Sequence, residues 1–359
     1  MRCSISDNPR RILLRLPNWV GDLVMCTPAL RSIRHRYPSA HISAIVKPSL
    51  TSIIKNSPFI DQIIEYEPKG RDQGIYRYIR FIMTLRKQHF DIGIAFTSSF
   101  SSAQLLFLAG IPIRVGYDRN LRGWMLTHRK MPLRNHGRIV PMNKVDLDLG
   151  LCELLGCTDL NPRPELYPGP QAIDEADRLL QRHGIKPHDI FIVIIPGATY
   201  GPSKCWKREY FAQVADALID EYDAKIIFAA GPGELPIVQD IIRFMNHRPI
   251  GIDDTVLPLD TLMALVQRCT IMITNDTGPR HFAVAFDKPV VVIMGSTDPR
   301  HTDCNLEKSV VLQEQVPCGP CHLRRCPIDH RCMALITPDR VLAAARKMIE
   351  DYYNFPGRS

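Results

Sequence analysis

Apolar positions along this chain fall into two patterns: short continuous runs, and longer stretches with helical spacing. Arg11-Ile12-Leu13-Leu14-Arg15-Leu16 reads as a strand, followed by the loop Pro17-Asn18-Trp19-Val20-Gly21-Asp22. From Leu23 to Tyr37, apolar Leu23, Cys26, Leu30 and Ile33 predict one amphipathic helix. Runs at 41–46 and 91–96 predict further strands, and 101–108 a helix. The segment 160–170 carries four prolines in eleven residues and reads as a domain linker. Beyond it the pattern restarts. Helices are predicted over 172–183, 208–218, 259–268 and 338–353, and strands over 190–195, 225–230, 270–274 and 289–294. No repeat of solenoid length occurs.

Strands alternating with helices imply parallel sheets, here two doubly wound α/β domains in tandem. In such sheets ligands sit beyond the carboxyl ends of strands, so the loops entering helices are where chemistry belongs.

Composition adds bounds. The chain has 359 residues, 45% hydrophobic and 23% charged, enough for two ordinary cores and too apolar for extended disorder. The net charge of +8 favours acidic partners. The charge is dispersed, however, and no basic helix or RNP motif points to nucleic acid. No stretch reaches 18 apolar residues, and the start lacks a small-residue cleavage site, so neither a membrane span nor an export signal is expected. Eleven Cys then read as reduced thiols in a cytosol.

Four loops carry candidate chemistry. The turn Asn275-Asp276-Thr277-Gly278 follows a strand and opens a helix, with Pro279 in its first turn and His281 one turn in. A helix N-terminus there would offer N–H groups to a diphosphate; the alternative is that Asp276 or Thr277 simply caps the helix. The two readings stand level on motif chemistry. Pro196-Gly197-Ala198-Thr199-Tyr200-Gly201-Pro202-Ser203-Lys204 also joins strand to helix and brings one lysine suited to phosphate. It is no Walker A loop, and Lys204 reads equally as a surface lysine. Glu234, at the end of Gly231-Pro232-Gly233-Glu234, can hold ribose hydroxyls or close a tight turn. Asp22 is either a helix-start acid or a general base.

Together these loops, with TNDTGPRHFAVAFDKPVVVIMGSTDPRHT over 274–302 and LAGIPIRVGY over 108–117, resemble the bacterial lipopolysaccharide heptosyltransferases. The resemblance spans nearly the whole chain and is closest to the heptosyltransferase II branch. It implies the GT-B architecture, two Rossmann-like domains facing a central cleft. Expected boundaries are an acceptor domain over 1–165, a donor domain over 166–337, and a terminal segment, 338–359, packing back toward the N-terminal domain. The resemblance also implies an inverting enzyme that moves heptose from ADP-L-glycero-D-manno-heptose to the inner core on Kdo-lipid A. By the same resemblance Asp22 is the base, and Thr199, Lys204, Glu234, Leu257, Asp276, Thr277, Gly278 and His281 bind the donor. Leu257 does so through its backbone. The anionic acceptor would meet Arg119, Arg122 and Lys144, with Arg114 and Arg129 as further candidates. The enzyme would be cytoplasmic and peripheral at the inner membrane.

No Asp-x-Asp stands at a candidate strand end, and a helix dipole with Lys204 can replace a divalent cation. No metal or other cofactor is therefore expected for transfer. Cys318, Cys321, Cys326 and Cys332 form a separate cluster, read as reduced structural thiols with a structural zinc as the alternative. The competing functions are another sugar-nucleotide transferase or epimerase on this architecture, and a non-catalytic nucleotide-binding protein.

Overall fold

The computed structural model describes residues 5, 7–67, 70, 72–250 and 255–353. They form two units, Met1–Tyr167 with Arg300–Cys304, and Pro168–Pro299 with Asn305–Ser359.

In the first unit β1 (Arg11–Arg15) leads into α1 (Val20–Met25) and α2 (Thr27–Arg36). Then come β2 (His41–Val46), α3 (Thr51–Ile54), β3 (Gln62–Glu65), α4 (Ile75–Arg86), β4 (Ile92–Ala95), α5 (Phe100–Leu108), β5 (Ile113–Tyr117) and β6 (His128–Lys130). A hairpin, β7 (Arg134–Asn135) and β8 (Arg138–Ile139), precedes α6 (Lys144–Leu154). Six parallel strands form one sheet in the order β3-β2-β1-β4-β5-β6. The winding reverses between β1 and β4, so the loop carrying Asp22 leaves the sheet at its switch point. Ile12, Leu13 and Leu14 are fully buried, as a central parallel strand covered on both faces requires.

The single helix expected over 23–37 is two helices that meet at Cys26. Pro28 has no N–H to offer the Val24 carbonyl four residues back, and its ring crowds that oxygen. Thr27 Oγ1 donates to it instead, at 2.8 Å.

The second unit runs α7 (Pro170–Arg182), β9 (Phe191–Ile195), α8 (Arg208–Tyr222), β10 (Lys225–Phe228), α9 (Leu235–Phe244), α10 (Leu259–Arg268) and β11 (Ile271–Asn275). It continues through α11 (Arg280–Ala285), β12 (Val290–Met294), β13 (Ser309–Gln313), α12 (Arg331–Ala334) and α13 (Pro338–Tyr352). Its parallel sheet has the order β10-β9-β11-β12-β13, with the switch point between β9 and β11. The Lys204 and Asp276 loops leave these two paired strands.

The terminal segment was expected to return toward the N-terminal domain. Its described part packs on its own unit, where Val341, Leu342, Ala345, Met348 and Ile349 join the core formed with β9, β11 and α8. The apolar stripe of α13 is thereby buried. Residues 354–359 of that expectation lie outside the described residues.

Candidate functional site

β9 and β11 pair in register up to Ile195 and Thr274, so their following loops start side by side. Asn275 ties them together. Its Oδ1 accepts from the Trp206 N–H at 3.1 Å, and its Nδ2 donates to the Pro196 carbonyl at 2.5 Å. The next residue, Asp276, is buried and takes three side-chain donors. Lys204 Nζ lies 2.6 Å from Oδ2, Thr297 Oγ1 2.6 Å from Oδ2, and Arg280 2.8 Å from Oδ1. Burial opposes the Asp276 charge, but Arg280, Lys204 and Thr297 outweigh it and hold the carboxyl well below the usual range.

Asp276 and Thr277 do not cap α11, which has no side-chain cap. The helix-end expectation also needs correction. α11 begins at Arg280, and the Thr277 N–H bonds to the Asn275 carbonyl at 2.7 Å. Among the described residues, only the Gly278 N–H of this turn remains without an acceptor. Positive charge at the turn therefore comes chiefly from side chains. Lys204 and Arg280 against Asp276 leave a net charge of +1. Lys204 uses its ammonium on the Oδ2 and carbonyl of Asp276, at 2.6 and 3.0 Å, which leaves a third donor for a ligand. His281 is buried and adds no charge at neutral pH. Burial, then Arg280, pushes its pKa down to about 3.

Glu234 reaches the same strand ends from the β10 loop. Its Oε2 accepts the Gly231 N–H at 2.9 Å, and burial raises its pKa. A Cβ on Gly197 would stand 2.0 Å from that same Oε2, so only glycine admits the carboxylate here. Thr199 is exposed on the β9 loop. Leu257 is half-buried in the segment before α10 and joins none of these contacts.

In the first unit, Arg15 fixes the loop ahead of Asp22. It donates to the Leu16 carbonyl at 2.8 Å and to Asn18 Oδ1 at 3.0 Å. Asp22 sits in the first turn of α1, half-buried. Its charge acts on a buried pair beneath it, Lys144 and Asp148. Burial works against the Lys144 ammonium, but Asp148, Cys26 and Asp22 outweigh it and raise its pKa. Burial pushes Asp148 up to about 6 even beside Lys144. Asp148 Oδ2 has no hydrogen-bond partner among the described residues.

Residues 78–331 match the profile of glycosyltransferase family 9 (heptosyltransferase). The chain belongs to this family. It is a glycosyltransferase, built as two Rossmann-like domains. It is similar to lipooligosaccharide heptosyltransferase 2 of Campylobacter jejuni, 26% identical over 355 residues, covering 95% of this chain and 99% of that one. It is also similar to lipopolysaccharide heptosyltransferase 2 of Salmonella typhimurium, 25% identical over 348 residues, with 95% and 99% covered. Among solved structures, a family 9 glycosyl transferase from Veillonella parvula shares the fold at a TM-score of 0.81, with 24% identity and 96% and 98% covered. E. coli ADP-heptose heptosyltransferase II does so at 0.75, with 23% identity and 95% and 99% covered.

The basic residues of this glycosyltransferase divide. Arg122 is 0% exposed; it donates to the Tyr117 carbonyl at 2.9 Å, the Ser99 carbonyl at 3.1 Å and Ser102 Oγ at 2.8 Å. That placement corrects the expected acceptor contact, because Arg122 holds the β4–α5 loop from inside. Lys144 is likewise drawn inward by Asp148 and by the Phe96 carbonyl at 3.3 Å. Arg114 donates to the Met125 carbonyl at 2.5 Å, and Arg129 pairs with Asp118 at 2.8 Å. Arg119 is different. It lines a cavity of about 720 Å³ in the first unit, together with Met131, Leu133, Ile139, Met142 and Leu149.

Cys318, Cys321, Cys326 and Cys332 line one small cavity of about 20 Å³, beside Ser203 and His330. All four are free thiols. Among the described residues their sulfurs do not gather to metal-ligand spacing. Their loop backs the Lys204 segment. The Ser203 N–H bonds to the Arg324 carbonyl at 3.2 Å, His330 Nε2 lies 2.8 Å from the Ser203 carbonyl, and the Tyr200 hydroxyl donates to the His322 carbonyl. Gly201, at φ +151°, permits the approach, since a Cβ there would stand 2.4 Å from the Arg324 oxygen.

Sequence reasoning missed Arg280 and Thr297. Arg280 had a signal, its i,i+4 spacing from Asp276 on an expected helix. Thr297 had only its place at the end of a predicted strand.

Proposed function

We propose that this enzyme transfers L-glycero-D-manno-heptose from its ADP donor to an inner-core lipopolysaccharide acceptor of the heptosyl-Kdo2-lipid A type, with inversion. The observation that carries the reading is the Lys204–Asp276–Arg280 cluster at the switch point of the second sheet, in a family 9 chain. Its net positive charge suits a diphosphate. Lys204, Thr277 and the Gly278 N–H bind the phosphates, Glu234 the ribose, and Thr199, Leu257 and His281 complete the donor contacts. Arg119 is the acceptor-binding cation that remains.

Asp22 is the general base. It takes the proton of the acceptor hydroxyl as that oxygen bonds to the anomeric carbon. The bond from this carbon to the β-phosphate oxygen breaks, and its electron pair leaves with ADP. Lys204 stabilises the charge that grows there. No metal is needed for this step, and the enzyme works in the cytoplasm at the membrane surface that carries the acceptor.

The test is incubation with ADP-heptose and truncated lipopolysaccharides, reading a heptose mass gain. Transfer from another sugar nucleotide alone would overturn the donor assignment. Asp22→Asn should abolish transfer and leave ADP binding intact; lost ADP affinity would make Asp22 structural. Activity abolished by EDTA and restored by magnesium would refute the metal-free step.

A further inference from the structure

Helix α4 buries one face and exposes another of the same chemistry. Ile82 and Leu85, with Tyr78 and Phe81, pack into the core of the first unit, where Phe81 stacks on Tyr66 at 4.2 Å between ring centroids. The flank next to that face carries Ile75, Ile79 and Met83 on successive turns, with Tyr76 beside them. They are 74%, 54%, 48% and 76% exposed respectively. Four large apolar side chains contiguous on one helix face form a patch that water does not favour. Beside them stand Arg80, Arg86 and Lys87, all exposed. No Asp or Glu occurs from Ile75 to His89. No helix among the described residues is long and apolar enough to cross a membrane.

We propose that α4 docks the enzyme on an anionic lipid surface. Ile75, Tyr76, Ile79 and Met83 enter the boundary between headgroups and acyl chains, while Arg80, Arg86 and Lys87 meet lipid phosphates. A helix that carries an apolar ridge edged by cations lies in the plane of such an interface. Charge complementarity selects this occupant. A second copy of the chain would bring the same unbalanced cations against these. The inference rests on the membrane-surface acceptor for its purpose, because docking holds the enzyme where a lipid-linked acceptor resides.

The experiment is flotation of the full chain with phosphatidylcholine vesicles, with and without phosphatidylglycerol. Binding is expected only with the anionic lipid and should weaken as salt rises. Ile79→Asp with Met83→Asp should lower the vesicle-bound fraction at least about tenfold. Arg80→Glu with Arg86→Glu should lower it about fivefold or more for each cation lost. All four side chains are exposed, so circular dichroism melts should match the parent. Transfer to a delipidated, soluble acceptor should also be unchanged. Equal binding to neutral vesicles, or variants that float like the parent, would overturn the proposal. So would a dimer that Ile79→Asp dissociates. A chain that floats as expected yet transfers no heptose would sink the functional reading and leave the docking helix standing.

Discussion

Replacing Asp276 by Asn keeps the shape of the side chain and removes its charge. Lys204 and Arg280 then face each other across a neutral amide in a site where both are largely buried. Breaking a buried ion pair from one side costs about 3–5 kcal/mol, because the remaining charge is left uncompensated. Here two cations lose one anion, so the upper half of that range is expected. Such a loss is a large fraction of a domain's whole stability of about 5–15 kcal/mol. Urea unfolding at neutral pH, followed by circular dichroism, measures it. A second variant separates charge from shape. Adding Arg280→Met to Asp276→Asn removes one stranded cation and should recover about 2 kcal/mol or more of the loss. Acid adds a check with a definite sign. The folded Asp276 pKa lies below its ordinary value of 3.8, so its contribution is complete above about pH 4 and fades as the pH falls further. The Asn variant should lack that acid-dependent component. A loss below about 1 kcal/mol, the level of an exposed ion pair, would refute the argument, as would a double variant less stable than Asp276→Asn.

Gly197→Ala should displace the Glu234 carboxylate without deleting it. The expected result is a donor KM about tenfold higher, the weight of one charge-assisted hydrogen bond, with an unchanged melting temperature. An unaltered KM would remove Glu234 from the ribose site. Asp148 makes the opposite pH statement to Asp276. Its folded pKa of about 6 lies above 3.8, so the folded state holds its proton longer and stability should fall as pH rises from about 4 to 6. Asp148→Asn should flatten that slope in urea titrations; an unchanged slope would mean that Asp148 ionises as readily folded as unfolded.

The long-range pattern of this chain was legible because buried parallel strands are continuous apolar runs, as at Ile12–Leu14 and Val290–Met294. β3 and β13 were missed for the converse reason. Both are edge strands, largely half-buried along their length, and their residues carry no strong period. The break at Cys26 was readable from Pro28, but the helical spacing on either side concealed it. At the site, the loops were legible as loops and their partners were not. Arg122 looks like any surface arginine in sequence. Only the fold shows that the carbonyls of Ser99 and Tyr117 converge on it. A lysine in the Lys204 loop can be seen in the sequence; that it pairs with a carboxylate 72 positions later cannot.

The backing of the Lys204 loop by a cysteine-bearing segment changes how chemical labelling of this enzyme should be read. Residues 314–330 contain no helix or strand, so their shape depends on side-chain packing and a few backbone bonds. Alkylating Cys318 or Cys321 would wedge that segment away from Ser203 and Tyr200 and disturb Lys204 without touching it. Inactivation by a thiol reagent, with protection by the nucleotide product, would ordinarily be taken as the signature of a cysteine in the active centre. In this molecule the same result would report only that the scaffold behind a lysine had been pried loose.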